Sequence, residues 1–330
     1  MEKIKAVIAG LGRIASLLEE DCLREKPCTH AGAITANPDC VLCGGFDIDE
    51  ERRRLFAEKW QVPVYENCGE MLRLHRPQIL TVATHPDSHY RYCRLGAENN
   101  VPVIICEKPL ADNIRCARKI RRLENNGTVI ITNHERRYSN DYLRAKTILD
   151  EEKLGALLEI RAVLYMGKNR RLLDQLWHDG THLADAVMFL ADGRLKHRRR
   201  FGSRLGSRNG TAWLEGELVK DKPKPPVPTL LEIGAGRDHL VFEIEFSCEK
   251  GRLRIGNGIF EVWESSPSPY AEKFRSLKKT DEKFCGHTDY FANMLKDAVC
   301  CVKDPKRKPV SKAQDGLKVI EYLNSIKRWR

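Results

Sequence analysis

The glycines at positions 10 and 12 are the first residues that could do chemistry, because they form a G-x-G-x-x-A turn directly after the apolar run Ile4–Ala9. The first glycine allows a tight turn, the second lets the backbone approach a pyrophosphate, and Ala15 permits close helix–sheet packing. A helix that starts there would offer its N–H groups to the phosphate. The residues expected to contact a dinucleotide are Gly10, Gly12, Arg13 and Ile14.

An acidic residue at the end of the second strand of such a fold accepts hydrogen bonds from the adenosine ribose, and here Asp47 has that place. Its carboxylate would repel a 2′-phosphate, so NAD is favoured, while the nearby arginines 52–54 keep NADP possible. The spacing from Gly10 is 37 residues, where about 20 is customary. An insertion at 16–29 in the first crossover explains this, with His30 resuming the usual helix.

The elements that position these residues alternate between short apolar runs and amphipathic helical segments up to about residue 135. This alternation predicts a parallel sheet covered by helices on both faces. The predicted strands are Ile4–Ala9, Val41–Asp47, Ile79–Ala83, Val103–Cys106 and Val129–Thr132. The predicted helices are Glu50–Trp60, Ser88–Asn99 and Asp112–Asn126, with Gly127 as the stop. We therefore expect a Rossmann dinucleotide-binding domain at 1–133.

The pattern changes after a helix near 139–151, since consecutive strand-like runs follow, which predicts a mostly antiparallel α+β domain at 134–330. The predicted strands are Leu157–Met166, Leu230–Ile233, Leu240–Cys248, Arg252–Ile255 and Ile259–Trp263, with hairpin turns at 249–251 and 256–258. The proline-rich tract 220–228 predicts an exposed loop rather than a central strand. Helices at 288–302 and 311–328 close the chain.

Composition excludes several classes of protein. The chain has 330 residues, 42% of them hydrophobic, so fibrous and disulfide-stapled miniature folds do not fit. No apolar run reaches the roughly 20 residues of a membrane helix, and the start lacks a signal-peptide pattern, which predicts a soluble cytoplasmic protein without a membrane partner. The 12 cysteines are expected to be reduced thiols, and the single C-x-x-C pair, Cys40 and Cys43, lacks the second pair of a structural zinc site.

The formal net charge of +11 raises the question of nucleic acid binding. The basic clusters at 198–200 and 306–308 are not interleaved with aromatic residues and match no recognition motif. We therefore expect no nucleic acid partner and interpret the charge as solvated surface, with a negatively charged small substrate as the alternative.

Three further segments carry a family resemblance. Glu107-Lys108-Pro109 follows the fourth strand, Pro86 and His89 follow the third, and an Asp-Gly-Thr-His-x-x-Asp segment spans 179–185. Together with the glycine turn, these resemble the glucose–fructose oxidoreductase, inositol dehydrogenase and rhizopine-catabolism family (Gfo/Idh/MocA). The segments 133–138, 153–155 and 309–316 also fit, so the resemblance covers nearly the whole chain.

The resemblance implies an NAD(P)-dependent dehydrogenase of sugars or polyols, with Lys108 beside the nicotinamide and His182 as the catalytic histidine. The family residues expected at the cofactor are Thr84, Pro86, His89, Glu107 and Lys108. The chemistry agrees, because oxidising a secondary alcohol removes a hydride from carbon and a proton from oxygen, and the proton needs a positioned base. Lys108 is that base, or it stays charged and stabilises the alkoxide while His182 is the base.

The segment around His182 departs from the family pattern. Family members often have aspartate four residues before the histidine, where this chain has His178, and the nearest carboxylate is Asp179. If the segment is helical, residues 178 and 182 share a face, and Asp185 lies beside His182. Either Asp179 or His178 replaces the family aspartate; the alternative is a cofactor-bound sensor or scaffold without efficient turnover. These spacings also suit a metal, but the nicotinamide motifs lead us to predict none.

Substrate and assembly are predicted only coarsely. Lys108, Arg136, His178, Asp179 and His182 are the residues expected at the substrate. The basic residues that suit a sugar acid, phosphosugar or nucleotide-linked sugar are Arg136, Arg137, Lys168, Arg170 and Arg171. The resemblance also implies a homodimer or homotetramer formed through the second domain's sheet, since strands as long as 240–248 need cover and an exposed apolar face normally marks an interface.

Overall fold

A computed structural model describes residues 2–167, 170–220 and 225–328. Lys168, and residues 221–224 of the predicted proline-rich loop, lie outside the described residues. Two compact units are formed: Met1–Ser139 with His287–Ile320, and Asn140–Gly286 with Glu321–Arg330. None of the helices in these described parts is long and apolar enough to cross a membrane.

The sheet of the first unit is parallel throughout, with strand order β3-β2-β1-β4-β5-β6. Its strands are β1 (Ile4–Ala9), β2 (Cys40–Phe46), β3 (Val64–Tyr65), β4 (Ile79–Val82), β5 (Val103–Cys106) and β6 (Val129–Thr132). Strands β1, β4 and β5 are almost completely buried, as expected for a sheet covered on both faces. The predicted Rossmann domain is confirmed, and β3 is an additional short strand.

The first unit contains helices α1 (His30–Ala36), α2 (Glu50–Trp60), α3 (Cys68–His75), α4 (His89–Glu98) and α5 (Ile114–Leu123). Four of these five helices, all except α4, begin at a polar side chain that caps them. Asp49, Asn67 and Asn113 each accept a hydrogen bond from the N–H group three residues later. A 3₁₀ turn after α5 ends at Gly127, whose φ of +88° confirms the predicted stop.

The second unit contains a mostly antiparallel sheet with strand order β14-β13-β12-β11-β7-β10-β9-β8, in which only β7 and β10 pair in parallel among the described strands. The strands are β7 (Leu157–Met166), β8 (Gly193–Gly202), β9 (Gly210–Lys220), β10 (Val227–Ala235), β11 (Leu240–Cys248), β12 (Gly251–Gly256), β13 (Ile259–Pro267) and β14 (Arg275–Lys279). Helices α6 (Asn140–Asp150), α7 (Leu172–His178) and α8 (Gly180–Leu190) accompany it. The predicted α+β class and both hairpins are confirmed.

Three strands of the second unit, β8, β9 and β14, were not predicted, and the expectation for the proline-rich tract was wrong. Strand β8 was not predicted because its charged sequence lacks a strand pattern, yet Arg198 and Arg199 form ion pairs with Glu217 and Glu215 of β9. The proline-rich tract is not all loop, since Pro228 lies within β10. Pairing with β9 starts at Val227, whereas pairing with β7 starts only at Thr229, so Pro228 needs no donor toward β7.

Most of the two last helices belongs to the first unit, although they follow the second unit in sequence. Helix α9 (Tyr290–Lys303) and the first half of α10 (Ala313–Arg328) belong to the first. Tyr138 donates a hydrogen bond to Asp297 of α9 (3.1 Å), and Ser311 Oγ donates to the carbonyl of Thr132 (2.7 Å). The prediction placed residues 287–320 in the second domain, whereas the structure places them in the first unit. The role of the second domain in substrate binding and oligomerisation stays a prediction.

The outward face of β11 is charged rather than apolar. Glu243 pairs with Arg254 of β12, and Glu245 Oε2 lies 3.3 Å from Arg252 Nη1. Arg252 also lies 4.0 Å from the ring centre of Trp263. These cross-strand pairs satisfy one another. Strand β11 therefore presents no apolar outward face that would need cover, and the homodimer or homotetramer stays a prediction from the resemblance.

Candidate active site

Gly10 is required by the fold itself. Its N–H donates to the carbonyl of Phe46 (2.7 Å), which joins the end of β1 to the end of β2. Its φ is +90°, and a Cβ atom there would lie 2.6–2.7 Å from backbone atoms of Ala83 and Thr84. Both the dihedral angle and the close approach of β4 exclude a side chain, so this glycine needs no ligand to explain it.

Gly12 differs, because no protein atom crowds it. A Cβ atom at this position would have only Arg52 Nη1 near it, at 3.9 Å. Among the described residues, the N–H groups of Gly12, Arg13 and Ile14 donate to no protein acceptor. A glycine that the fold does not need, beside three available N–H donors, is what the close approach of a pyrophosphate requires.

The helix predicted directly after this turn was wrong in its position. One helical turn forms, in which the N–H of Leu18 donates to the carbonyl of Arg13 (2.9 Å), and the short 3₁₀ helix Leu17–Glu20 follows. Helix α1 starts only at His30. The N–H groups of His30 and Ala31 donate to Ile14 and Ala15, so they are not available to a phosphate.

The predicted insertion explains the displaced helix, because its two ends meet. Thr29 accepts a hydrogen bond from the N–H of Gly32 and so caps α1, while its hydroxyl donates to Glu19 (2.6 Å). The same carboxylate accepts from the N–H of Cys28. Glu25 accepts hydrogen bonds from both the N–H and the hydroxyl of Thr288 (2.7 and 2.9 Å). Glu19 thus closes the insertion on itself, and Gly32 and Thr288 join it to the rest of the first unit.

Asp47 lies beside the glycine turn despite the long spacing in sequence. Its Oδ2 accepts from the N–H of Leu11 (2.8 Å) and its Oδ1 from the N–H of Asp49 (3.0 Å). The side chain is buried, and Arg52 Nη1 lies 3.7 Å from its Oδ2. Of the three arginines here, Arg53 pairs with Glu66, and Arg54 pairs with acids of its own helix. Arg52 is the one that lies near both Asp47 and Gly12.

Lys108 follows a buried carboxylate at the end of β5. Glu107 Oε1 lies 2.7 Å from His30 Nε2 and accepts from the side-chain amide of Asn133 (2.6 Å), while its Oε2 accepts from the backbone N–H of Lys108 (3.2 Å). Burial opposes the charge of Glu107, but the hydrogen bonds from His30 and Asn133 outweigh it, so the pKa of this carboxyl lies below its usual value. The charged carboxylate therefore joins α1, β5 and β6.

His89 supports the loops on either side of it. It is completely buried, with Nε2 at 3.0 Å from the carbonyl of Thr84 and Nδ1 at 3.1 Å from the carbonyl of Pro109. Burial lowers the pKa of its imidazole. Thr84 and Pro86 are half-buried and precede it. His89 thus connects the loop after β4 to the loop that carries Lys108, which is a supporting position, and its direct contact with a cofactor stays a prediction.

The segment after β6 contributes charged groups near Lys108. Burial raises the pKa of Glu135, while the positive charges of Arg136 and Lys108 oppose this. Glu135 therefore interacts electrostatically with both Arg136 and Lys108. Arg137, in contrast, is buried and pairs with Asp315 (3.1 Å), so it is a structural residue of the first unit.

The predicted catalytic segment of the second unit is not one continuous helix. Helix α7 ends at His178 and α8 begins at Gly180, so the shared helical face expected for residues 178 and 182 was wrong. The break falls at Asp179, whose Oδ1 lies 2.9 Å from His178 Nδ1 and whose Oδ2 lies 3.2 Å from Arg170 Nη1. His182 is half-buried in the first turn of α8. His178 and Asp179 thus contact each other, and which of them replaces the family aspartate stays a prediction.

Sequence reasoning missed three residues of the Lys108 surroundings as functional groups: His30, Asn133 and Glu135. His30 and Glu107 are separated by 77 residues, and no periodic pattern predicts that they meet. The only signal was the position of Asn133 and Glu135 within a segment that fits the family.

Comparison with known proteins agrees with this geometry. The model of an oxidoreductase family with an NAD-binding Rossmann fold, Gfo/Idh/MocA, matches residues 4–134. An inositol 2-dehydrogenase of Rubrobacter xylanophilus is 27% identical over 135 residues, which are 40% of this chain and 37% of that protein. The inositol 2-dehydrogenase of Gluconacetobacter diazotrophicus is 27% identical over 130 residues, 38% and 37% of the two chains. The chain thus spans little more than a third of these curated relatives.

Solved structures match the fold over its full length. A dehydrogenase from Chromobacterium violaceum has a TM-score of 0.78 at 15% identity and covers 99% of this chain and 95% of its own. The UDP-N-acetylglucosamine 3-dehydrogenase of Acidithiobacillus ferrooxidans has a TM-score of 0.76 at 14% identity, with 99% and 97% covered. Residues 4–134 therefore match the Gfo/Idh/MocA oxidoreductase family with its NAD-binding Rossmann fold, and the order of the motifs agrees with this match.

Proposed function

We propose that the protein is an NAD(P)-dependent dehydrogenase that transfers a hydride between nicotinamide and a secondary alcohol of a sugar-like or polyol substrate. The observation that carries this proposal is the Gly12 turn, where a glycine that the fold does not need stands beside available N–H donors. The family and its inositol dehydrogenase members support the reaction class.

The residues fit a bound dinucleotide. The N–H groups of Gly12, Arg13 and Ile14 would hold the pyrophosphate, and Asp47 would accept hydrogen bonds from the adenosine ribose. When bound, the nicotinamide accepts or returns the hydride. Lys108 exchanges the alcohol proton or stabilises the alkoxide, and the proposal gives His182 and Asp179 the remaining proton transfer.

The proposed cofactor is NAD, with NADP accepted more weakly. Asp47 is buried and accepts hydrogen bonds from two backbone N–H groups, and a carboxylate at the ribose position disfavours a 2′-phosphate. Arg52 counteracts this because its guanidinium lies 3.7 Å from that carboxylate and is partly exposed. Because Asp47 partly neutralises Arg52, the pair favours NAD, which lacks the 2′-phosphate, over NADP.

The proposed substrate is a polyol or sugar, and Arg136 stays among the residues predicted to contact a negatively charged variant of it. Arg137, Arg170 and Arg171 each pair with an aspartate and are partly neutralised. The relatives named as inositol and UDP-N-acetylglucosamine dehydrogenases support a ring with several hydroxyl groups.

Absorbance at 340 nm tests the reaction, with NAD or NADP and a panel of inositols, aldoses, sugar acids and nucleotide sugars. We expect turnover with at least one class, faster with NAD than with NADP. Tight cofactor binding without absorbance change across the whole panel would favour the sensor or scaffold instead.

A further inference from the structure

The Glu107 carboxylate raises a question that the proposed mechanism does not answer. It is charged, it directly precedes Lys108, and it is buried in the same unit. A carboxylate beside a lysine normally favours the charged ammonium, which opposes any role of that lysine as a proton acceptor. Some other group must therefore compensate the charge of Glu107 if Lys108 is to exchange a proton.

The hydrogen-bond donors around the Glu107 carboxylate can compensate its charge. Three donors share its two oxygens: the His30 ring, the side-chain amide of Asn133 and the backbone N–H of Lys108. His30 and Asn133 make the two shortest of these contacts, at 2.7 and 2.6 Å, and both contact Oε1. These donors stabilise the negative charge where it is, since charge-assisted hydrogen bonds are the strongest of their kind.

His30 is itself held firmly in place. Its side chain is 1% exposed, and its ring packs edge-on against Phe291 with 5.1 Å between the ring centres. Its backbone N–H donates to the carbonyl of Ile14 in the cofactor turn. One residue therefore connects the turn expected to bind the pyrophosphate with the carboxylate beside Lys108.

We propose that His30 is a positioning residue that binds the Glu107 charge and so leaves the amine of Lys108 able to exchange its proton with the substrate. The inference rests on the proposed function for its role in turnover. Its effect on the amine of Lys108 is a property of the chain alone and exists without cofactor or substrate.

Other titratable groups face this network and are kept constant in the test. Glu135, in the segment after β6, interacts electrostatically with both Lys108 and Arg136. His89 on α4 and Cys106 on β5 are buried, and both interact electrostatically with Glu107. None of them is altered in the variants below, so a change in Lys108 reports on His30 and Glu107.

The test measures how fast the amine of Lys108 is acylated by acetic anhydride as a function of pH, with the modified peptide quantified by mass spectrometry. We expect His30→Leu to shift the profile to higher pH by about 0.5 to 1 unit, because an uncompensated Glu107 charge holds the ammonium. Glu107→Gln removes the charge and should shift it to lower pH. His30→Gln keeps an N–H donor and should leave the profile unchanged.

His75→Leu is the matched control, since this histidine of the same unit is half-buried and hydrogen-bonded to Tyr65, away from Glu107. If His30→Leu does not fold, Asn133→Ala removes the other donor to the same oxygen and should shift the profile in the same direction. An unchanged profile in these variants, or the same direction of shift for Glu107→Gln and His30→Leu, would overturn the proposal.

A second readout separates this inference from the proposed function. With an active substrate, His30→Leu should lower kcat roughly 10- to 100-fold, the usual scale for a group supporting a functional residue, with KM for the cofactor nearly unchanged. His30→Gln should restore kcat. If the wild-type protein turns over no substrate, the proposed function fails while the acylation profiles still decide the role of His30.

Discussion

The surroundings of Lys108 and the segment around Asp179 hold the two sets of predicted catalytic residues in different ways. Lys108 follows a buried carboxylate that is fixed by two donors distant in sequence, His30 and Asn133, and by the backbone N–H of Lys108 itself. Asp179 lies at a break between two helices, where its partners are its neighbour His178 and Arg170, nine residues away. His178 is 61% exposed, whereas the His30 side chain is 1% exposed.

The difference indicates how tolerant each site is. The side chains of a fully hydrogen-bonded buried network have little conformational freedom. Removing one donor leaves its buried acceptor without a partner, at the full cost of desolvation. Exposed ion pairs are worth little and can be replaced by water. Substitutions around Lys108 should therefore have the larger and less replaceable effects.

The largest effect is expected for Lys108→Met. If Lys108 exchanges the alcohol proton, turnover should fall by about 10² to 10⁴, the scale of a proton-transfer group, while cofactor affinity stays nearly intact. Steady-state kinetics at 340 nm with an active substrate measure this. Lys119→Met is the matched control, since that lysine lies over the ring of Tyr90 on the helix surface. A Lys108→Met rate close to wild type would show that Lys108 is not needed for proton transfer, and that substitutions around it do not have the larger effect.

The two glycines of the turn separate what the fold needs from what a ligand needs. Gly10→Ala should lower the free energy of unfolding by roughly 2 to 4 kcal/mol, because it adds backbone strain and a clash with Ala83 and Thr84. Gly12→Ala should change it by less than about 1 kcal/mol. Urea unfolding of both variants measures this, and equal destabilisation would contradict the assignment of Gly12 to a ligand.

In the second unit, the prediction concerns which of two neighbours carries the function. Asp179 is the less exposed partner and has two positively charged or titratable neighbours. Asp179→Asn should lower kcat by roughly 10- to 100-fold, and His178→Ala by less than about 5-fold. The two variants are compared in the same assay. A severe His178→Ala together with a mild Asp179→Asn would show that the histidine has replaced the family aspartate.

The smallest effect is expected for the choice of cofactor. Arg52→Ala should weaken NADPH binding by about 10-fold, the scale of one charge-assisted contact, and NADH binding by less than about 3-fold. Arg54→Ala is the control, since that guanidinium pairs with Glu51 and Glu58 on the outer face of α2. Fluorescence titration of the reduced cofactors measures both. Equal losses for both cofactors would mean that Arg52 does not discriminate between them.

The sequence predicted the fold well because periodicity and turn residues are local signals. Strands β1, β5, β7 and β11 and helix α2 coincide with the predicted segments. Strand β8 was missed because its charges are satisfied only across the sheet, by Glu215 and Glu217. The start of α1 was misplaced because the insertion displaces the helix from the glycine turn.

Only those site residues that belong to a sequence motif could be predicted. Gly12, Asp47 and Lys108 were found from spacing and resemblance, whereas the contact between His30 and Glu107 joins residues 77 positions apart. Its energy depends on burial and on a third partner, Asn133, and no pattern within one element contains that information.

Dinucleotide binding at the Gly12 turn is measured by calorimetric titration with NADH and NADPH, for the wild-type protein and for Gly12→Asp. We expect binding of NADH to the wild-type protein, weaker binding of NADPH, and loss of both in Gly12→Asp with an unchanged melting temperature, because the added carboxylate would meet the pyrophosphate. No binding of either cofactor to the folded wild-type protein, or undiminished binding to Gly12→Asp, would contradict this expectation.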